Sequence, residues 1–281
     1  SYRIVSLRLS TPLRASDAKW VYLLSETLTP VSSHTNFTRS ADQGQTWRPA
    51  EVDLVASYYT STTPSIAGGL GGEILVAWGE FHYDVDGPLL DRQIFVKHSN
   101  NYGATFSADI TAVPDIFGDA AVAFGSGGTA HLIYTREWYG DDFYNGKPSY
   151  VYSTKAPYTA WSQPVVLSDD ISASSYRTPA LTVSACGSGA SVLHAVWLDD
   201  RAGSENYSVY YTRKVAKTGE DWSPNLRVSG TLPVDSTGYP LFAPAIAAGM
   251  GTAVGLWGQL WGYYLPDPVW ASRIAPGVSC P

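Results

Sequence analysis

Charge is scarce in this chain. Only 15% of its 281 residues are Asp, Glu, Lys or Arg, the net charge is −7, and no run of Lys or Arg occurs. A nucleic-acid partner would need a basic stripe to set against phosphate, so none is expected. No window of about 18 apolar residues is present, so no membrane span is expected. There are five His and two Cys, and none of them falls at a zinc-binding spacing. Cys186 and Cys280 are enough for one disulfide and equally compatible with two thiols. Helix formers are thin, with a single Met.

Aromatics and turn residues are plentiful: 10 Trp, 19 Tyr, 26 Gly and 18 Pro. Val, Thr, Tyr and Trp dominate the periodic segments, and these residue types fit a pleated, half-buried surface. The expected class is all-β. With 44% hydrophobic residues the chain can bury a large core, and residues 1–281 are read as a single domain. The first residue is Ser1, which fits a processed secreted chain or a trimmed piece, and a secreted location is the expectation. The sequons Asn36-Phe37-Thr38 and Asn206-Tyr207-Ser208 permit glycosylation at Asn36 and Asn206.

One octet recurs. Ser40-Ala41-Asp42-Gln43-Gly44-Gln45-Thr46-Trp47 reads S-x-D-x-G-x-T-W, and Ser99-Asn100-Asn101-Tyr102-Gly103-Ala104-Thr105-Phe106 is a relaxed copy. The Asp or Asn side chain can cap a tight turn by accepting backbone N–H groups, and Gly supplies a positive φ. The closing aromatic is expected to bury against a sheet. The octet resembles the Asp-box (BNR) hairpin of sialidase-like β-propellers. That resemblance implies four-stranded blades with the box between the two outer strands.

Around the boxes a unit of about 55–60 residues repeats, a length that suits one blade. Its opening strand begins at Pro64, Ala120, Pro179 and Pro244, and its second strand ends at Leu24, Trp78, Tyr134, Trp197 and Trp257. Decayed boxes follow at Lys155–Trp161 and Gly219–Ser223. The expected architecture is a five-bladed propeller, with six blades as the alternative. Residues 2–9 resemble the edge strand Asn225–Ser229 and are expected to close the last blade. A β-sandwich also strings short strands together, but the box spacing and the repeated strand order argue against it.

In the resembled family the loops between second and third strands share one face, opposite the boxes. Here they hold Glu80, His82 and Tyr83, then Trp138 and Tyr139, then Asp199 and Arg201, then Gln259, Trp261 and Tyr263. Aromatic faces beside carboxylates and amides suit carbohydrate, because rings stack on a sugar's apolar face while polar groups read its hydroxyls. Glycan recognition is the leading expectation.

Two residues beyond the end of each second strand stand Glu26, Glu80, Arg136, Asp199 and Gln259. A glycoside hydrolase would draw its carboxyl pair from Glu26, Glu80 or Asp199, with Arg136 tuning one of them. Active sialidases carry an F/Y-R-I-P segment and an arginine triad. Tyr2-Arg3-Ile4-Val5 lacks the Pro, only Arg136, Arg177 and Arg201 are placed for a clamp, and the sialidase chemistry is not carried over. A structural subunit with protein neighbours in an assembly is the third expectation. No cofactor is expected. Asp84 and Asp86 hint at calcium, but the later Glu of a full calcium loop is missing.

Overall fold

The structure is a computed structural model. It describes residues 3–10, 17–28, 33–48, 52–57, 60–62, 64–83, 89–116, 118–136, 146–169, 176–185, 190–203, 206–216, 221–231, 242–249, 252–259 and 270–274. These form twenty strands in five sheets. The first sheet runs β1 (Arg3–Ser10), β2 (Val21–Leu28), β3 (Ser33–Ser40), β4 (Val52–Ser57). The second holds β5 (Thr60–Ser61), β6 (Ser65–Gly68), β7 (Ile74–Tyr83), β8 (Leu89–Ser99) and β9 (Ile110–Pro114). The third runs β10 (Ala120–Phe124), β11 (Ala130–Arg136), β12 (Gly146–Ser153), β13 (Val165–Val166). The fourth runs β14 (Tyr176–Ala185), β15 (Ser191–Asp199), β16 (Ser208–Val215), β17 (Leu226–Arg227). The fifth holds β18 (Phe242–Gly249), β19 (Thr252–Gln259) and β20 (Trp270–Ile274). Four-stranded antiparallel meanders in chain order are the unit of which propellers are built.

The chain packs as two compact units, Ser1–Leu132 with Val151–Gln163, and Ile133–Tyr150 with Pro164–Pro281. In the first unit, Tyr22, Leu24, Phe37 and Leu54 of the first sheet share a buried cluster with Ile66, Ile74, Val76 and Trp78 of the second. In the second unit, Val196, Leu198, Val209 and Tyr211 of the fourth sheet meet Ile246 and Ala248 of the fifth. The clusters take alternate residues of the central strands, one face of each, and all nine residues of β15 are buried.

The opening strands are outer strands of their sheets, which is where proline is tolerated because a missing N–H leaves no ladder position empty. Pro64 separates β5 from β6, which both pair with β7, and Pro179 lies at the register shift between Arg177 and Ala180. Serines tie successive opening strands: Ser10 Oγ accepts from the Gly68 N–H at 3.0 Å, and Ser65 Oγ from the Val122 N–H at 3.2 Å.

One expectation is corrected. Residues 3–10 are the opening strand of the first sheet, paired along β2 from Arg3 opposite Leu28 to Ser10 opposite Tyr22. They do not close the last sheet, whose described strands are β18, β19 and β20. β2 needs a ladder partner on the side away from β3, and the N-terminal segment supplies it over almost its full length.

Candidate functional site

Pairing fixes which residues share an end of a sheet. In the first sheet Val21 lies opposite Ser40, where the box begins, and Leu28 lies opposite Ser33, at the second-to-third-strand loop. The box and the loop are therefore at opposite ends of one hairpin.

Both boxes close by the same bonds. Ser40 Oγ accepts the Gly44 N–H at 2.8 Å, while Asp42 Oδ1 accepts the Thr46 N–H at 2.8 Å and its Oδ2 the Thr46 hydroxyl at 2.5 Å. In the second box Ser99 Oγ accepts the Gly103 N–H at 2.9 Å and Asn101 Oδ1 the Thr105 N–H at 3.0 Å. The Ser40 and Thr46 bonds hold the Asp42 carboxyl down at about 2. Gly103 is required twice over: its φ is +74°, and a Cβ there would lie 2.4 Å from the Phe37 ring. Of the closing aromatics, Phe106 packs edge-on against Phe37 of the core cluster as expected, and Trp47 does not. Trp47 is 37% exposed, with its indole N–H on the Gly44 carbonyl at 3.1 Å, because the turn curls the ring back on itself.

At the loop end, residues two apart on a strand share a face, and the structure uses this twice. The Trp78 indole N–H donates to Glu80 Oε2 at 3.0 Å, and the Trp197 indole N–H donates to Asp199 Oδ2 at 2.9 Å. All three candidate carboxylates are buried: Glu26 at 5%, Glu80 at 9% and Asp199 at 0% exposure. Arg136 and Gln259 occupy the matching ends of β11 and β19.

Asp199 lies within an ion-pair network. Arg201 Nη2 donates to its Oδ2 at 2.7 Å, and Arg201 Nε lies 3.0 Å from both oxygens. The same guanidinium reaches Asp169 Oδ1 at 2.9 Å, Ser168 Oγ at 3.2 Å and Asn225 Oδ1 at 3.2 Å, and lies 3.8 Å over the Tyr210 ring. Burial pushes the Asp199 carboxyl above its ordinary range; Arg201, bound to both oxygens, pulls the other way and keeps its own proton. The structure thus joins two sequence candidates, Asp199 and Arg201, to each other. Asp169, Ser168, Asn225 and Tyr210 carried no local signal.

His82 and Tyr83 end β7, opposite Asp91 and Leu89. Asn206 is exposed on the turn before β16, whereas Asn36 sits mid-strand in β3 with its Nδ2 donating to Thr27 Oγ1 at 3.3 Å. Asp84, Asp86, Trp138, Tyr139, Trp261, Tyr263, Cys186 and Cys280 lie outside the described residues. Among the described residues no three His, Cys, Asp or Glu side chains are grouped to hold a metal, and no helix is long and apolar enough to cross a membrane.

Fully buried His194 bonds Ser184 Oγ at 2.9 Å and the Tyr211 hydroxyl at 2.8 Å, and burial lowers it to about 4. It is neutral and structural.

The sequence matches no protein-family model and no curated protein. The architecture does find likenesses. An α-L-arabinanase of Penicillium chrysogenum, solved with arabinobiose, superposes with a TM-score of 0.54 at 15% identity, over 90% of this chain and 77% of that one. The GH93 α-L-arabinofuranosidase of Fusarium graminearum, also with arabinobiose, gives 0.55 at 15% identity, over 92% and 78%. The intramolecular trans-sialidase of Ruminococcus gnavus, with oseltamivir carboxylate, gives 0.52 at 9% identity, over 99% and 85%. The chain shares the fold of these propeller glycosidases. At such identities the likeness carries the architecture, and the chemistry has to be argued from the residues.

Proposed function

We propose that this chain is a carbohydrate-recognition propeller, with the described sheets as its blades, that takes glycan at the second-to-third-strand loop end. The observation that carries the preference for binding over cleavage is the state of Asp199. A carboxylate sequestered from solvent and clamped on both oxygens by Arg201 is not poised to protonate a glycosidic oxygen or attack an anomeric carbon. Trp78 likewise restrains Glu80. Support for sugar as the ligand comes from the shared fold with enzymes solved on arabinobiose, and from the aromatic and amide content of the loops. We place the protein outside the cell, where such ligands are found.

A second reading, a glycoside hydrolase, is favoured by one observation. Glu26 and Glu80 are buried carboxylates two residues beyond Leu24 and Trp78, which share one core cluster. They would be the acid and its partner.

Both readings are tested by screening the chain against immobilised arabino-oligosaccharides and sialylated and neutral glycans, with product release followed in parallel. Binding without product supports recognition, and binding lost in Trp138→Ala and Trp261→Ala locates it. Turnover abolished in Glu26→Gln or Glu80→Gln replaces recognition with hydrolysis. Failure to bind any glycan overturns both.

A further inference from the structure

The box turns hold a residue that the box pattern itself leaves unspecified. The residue before the box glycine has positive φ in both boxes, +63° at Gln43 and +57° at Tyr102, and Tyr158 in the third sheet's decayed box has +66°. A left-handed residue throws its side chain out of the turn, and the identity of that side chain follows what stands beside it.

Tyr102 of the second sheet reaches back to the first. Its ring stacks on Trp20 at 4.8 Å, its hydroxyl donates to Asp17 Oδ1 at 3.2 Å, and its carbonyl accepts from Arg39 Nη1. Within its own sheet the ring lies over the turn between β6 and β7, where a Cβ on Gly72 would be 2.8 Å from it. Tyr158 of the third sheet repeats the act on the second. Its hydroxyl lies 2.9 Å from Glu73 Oε1 and 3.0 Å from the Gly128 carbonyl oxygen, and its ring meets His98 edge-on at 4.9 Å. The receiving positions correspond. Trp20 and Glu73 lie just before the second strand of their sheets, and Arg39 and His98 lie one residue before the serine that opens the box. Gln43, on the first sheet, keeps the turn bond, its N–H donating to the Lys19 carbonyl at 2.8 Å as that of Tyr102 does to Gly72 at 2.9 Å, but its side chain is exposed.

We propose that the left-handed tyrosines of the second and third turns, Tyr102 and Tyr158, are inter-sheet latches. Each plugs onto a turn acid of the preceding sheet, Asp17 or Glu73, and the turn serves to present it. This explains why the third turn has lost its Ser, Asp and Gly pattern yet keeps Tyr158 wholly buried. A side chain that docks two sheets is constrained by both, whereas the hydrogen bonds of the box are replaceable by any turn that reaches the same φ.

The test uses the full chain and removes one oxygen at a time. Tyr158→Phe should raise amide exchange at Gly69, whose N–H closes the Glu73 turn at 2.7 Å, by about ten-fold, since a lost bond to a charged acceptor in a partly buried site has that effect. Tyr102→Phe should do the same at Trp20, whose N–H bonds Asp17 at 2.9 Å. Gln43→Ala should leave both amides within two-fold of the parent. In the pair Tyr158→Phe and Glu73→Gln, the double variant should exchange no faster than the faster single one. Exchange unchanged in both tyrosine variants, additive effects in the pair, or an equal effect from Gln43→Ala would overturn the latch.

Discussion

The box end of the first sheet's second-to-third-strand hairpin and the loop end of the fourth sheet's are held in different ways. At the box end of the first sheet, Asp42 bonds Thr46 four residues on and Ser40 bonds Gly44 four residues on. At the loop end of the fourth sheet, Arg201 binds Asp199 two residues back, but also Asp169, 32 positions away, and Asn225, 24 positions away. One end closes its side-chain bonds within eight consecutive residues. The other is assembled only when the strands around it are already paired. Local closure recurs wherever the pattern recurs, while the long-range network depends on partners that no pattern announces.

The largest break in this comparison comes from Arg201→Ala. It leaves a wholly buried carboxylate without its cation and should cost about 3–5 kcal/mol in urea denaturation, the range for an orphaned buried charge. A loss near zero would mean that water enters and the network is not a structural centre. Next is acid. His194 falls to about 4 in the fold from an ordinary value near 6.5, so the unfolded chain takes up its proton first. That stability is present above about pH 6.5 and drains as pH falls toward 4, amounting to about 3 kcal/mol. The pH dependence of the urea midpoint should flatten in His194→Gln.

Smaller again is the indole donor. Trp197→Phe removes one bond to a buried carboxylate and some packing, and should cost about 1–3 kcal/mol by thermal or urea melting. Trp78→Phe should match it if the two pairs are equivalent. The smallest effect is expected at the box. Asp42 is held at about 2, so its contribution is intact above the ordinary carboxylate value near 4 and is lost as pH falls through 2. Amide exchange at Thr46 should rise there while the core amides of β7 stay protected. A global collapse at that pH in step with Thr46 would show that the box is not a separable local unit.

Much of the fold was legible because its signals are short. The two boxes and the recurring second strands can be read along the chain, because they follow from turn chemistry and the strand period. The strand limits cannot: β2 and β7 run on past Leu24 and Trp78 to Leu28 and Tyr83, and β14 and β18 begin at Tyr176 and Phe242, ahead of Pro179 and Pro244. The N-terminal strand was misplaced for a physical reason. Arg3–Ser10 alternates as an edge strand does, and alternation says which side chains share a face without saying which strand lies alongside. At the loop end the spacing of Trp78 to Glu80 and of Trp197 to Asp199 was visible as a polar residue two beyond an aromatic. That the aromatic itself donates to the carboxylate was not visible, because it depends on side-chain rotamers in a packed sheet.

The sequence alone determined that the chain is all-β, that it is built from a repeated hairpin, and that carboxylates recur at one end of that hairpin. These follow from i, i+2 and i, i+4 relations that hold in any surroundings. Only the tertiary structure decided that Asp199 is an ion-paired strut, that Tyr102 and Tyr158 fasten neighbouring sheets, and that the first strand belongs to the first sheet. Each of these joins residues distant along the chain, and such contacts exist only once loop closure has been offset by burial.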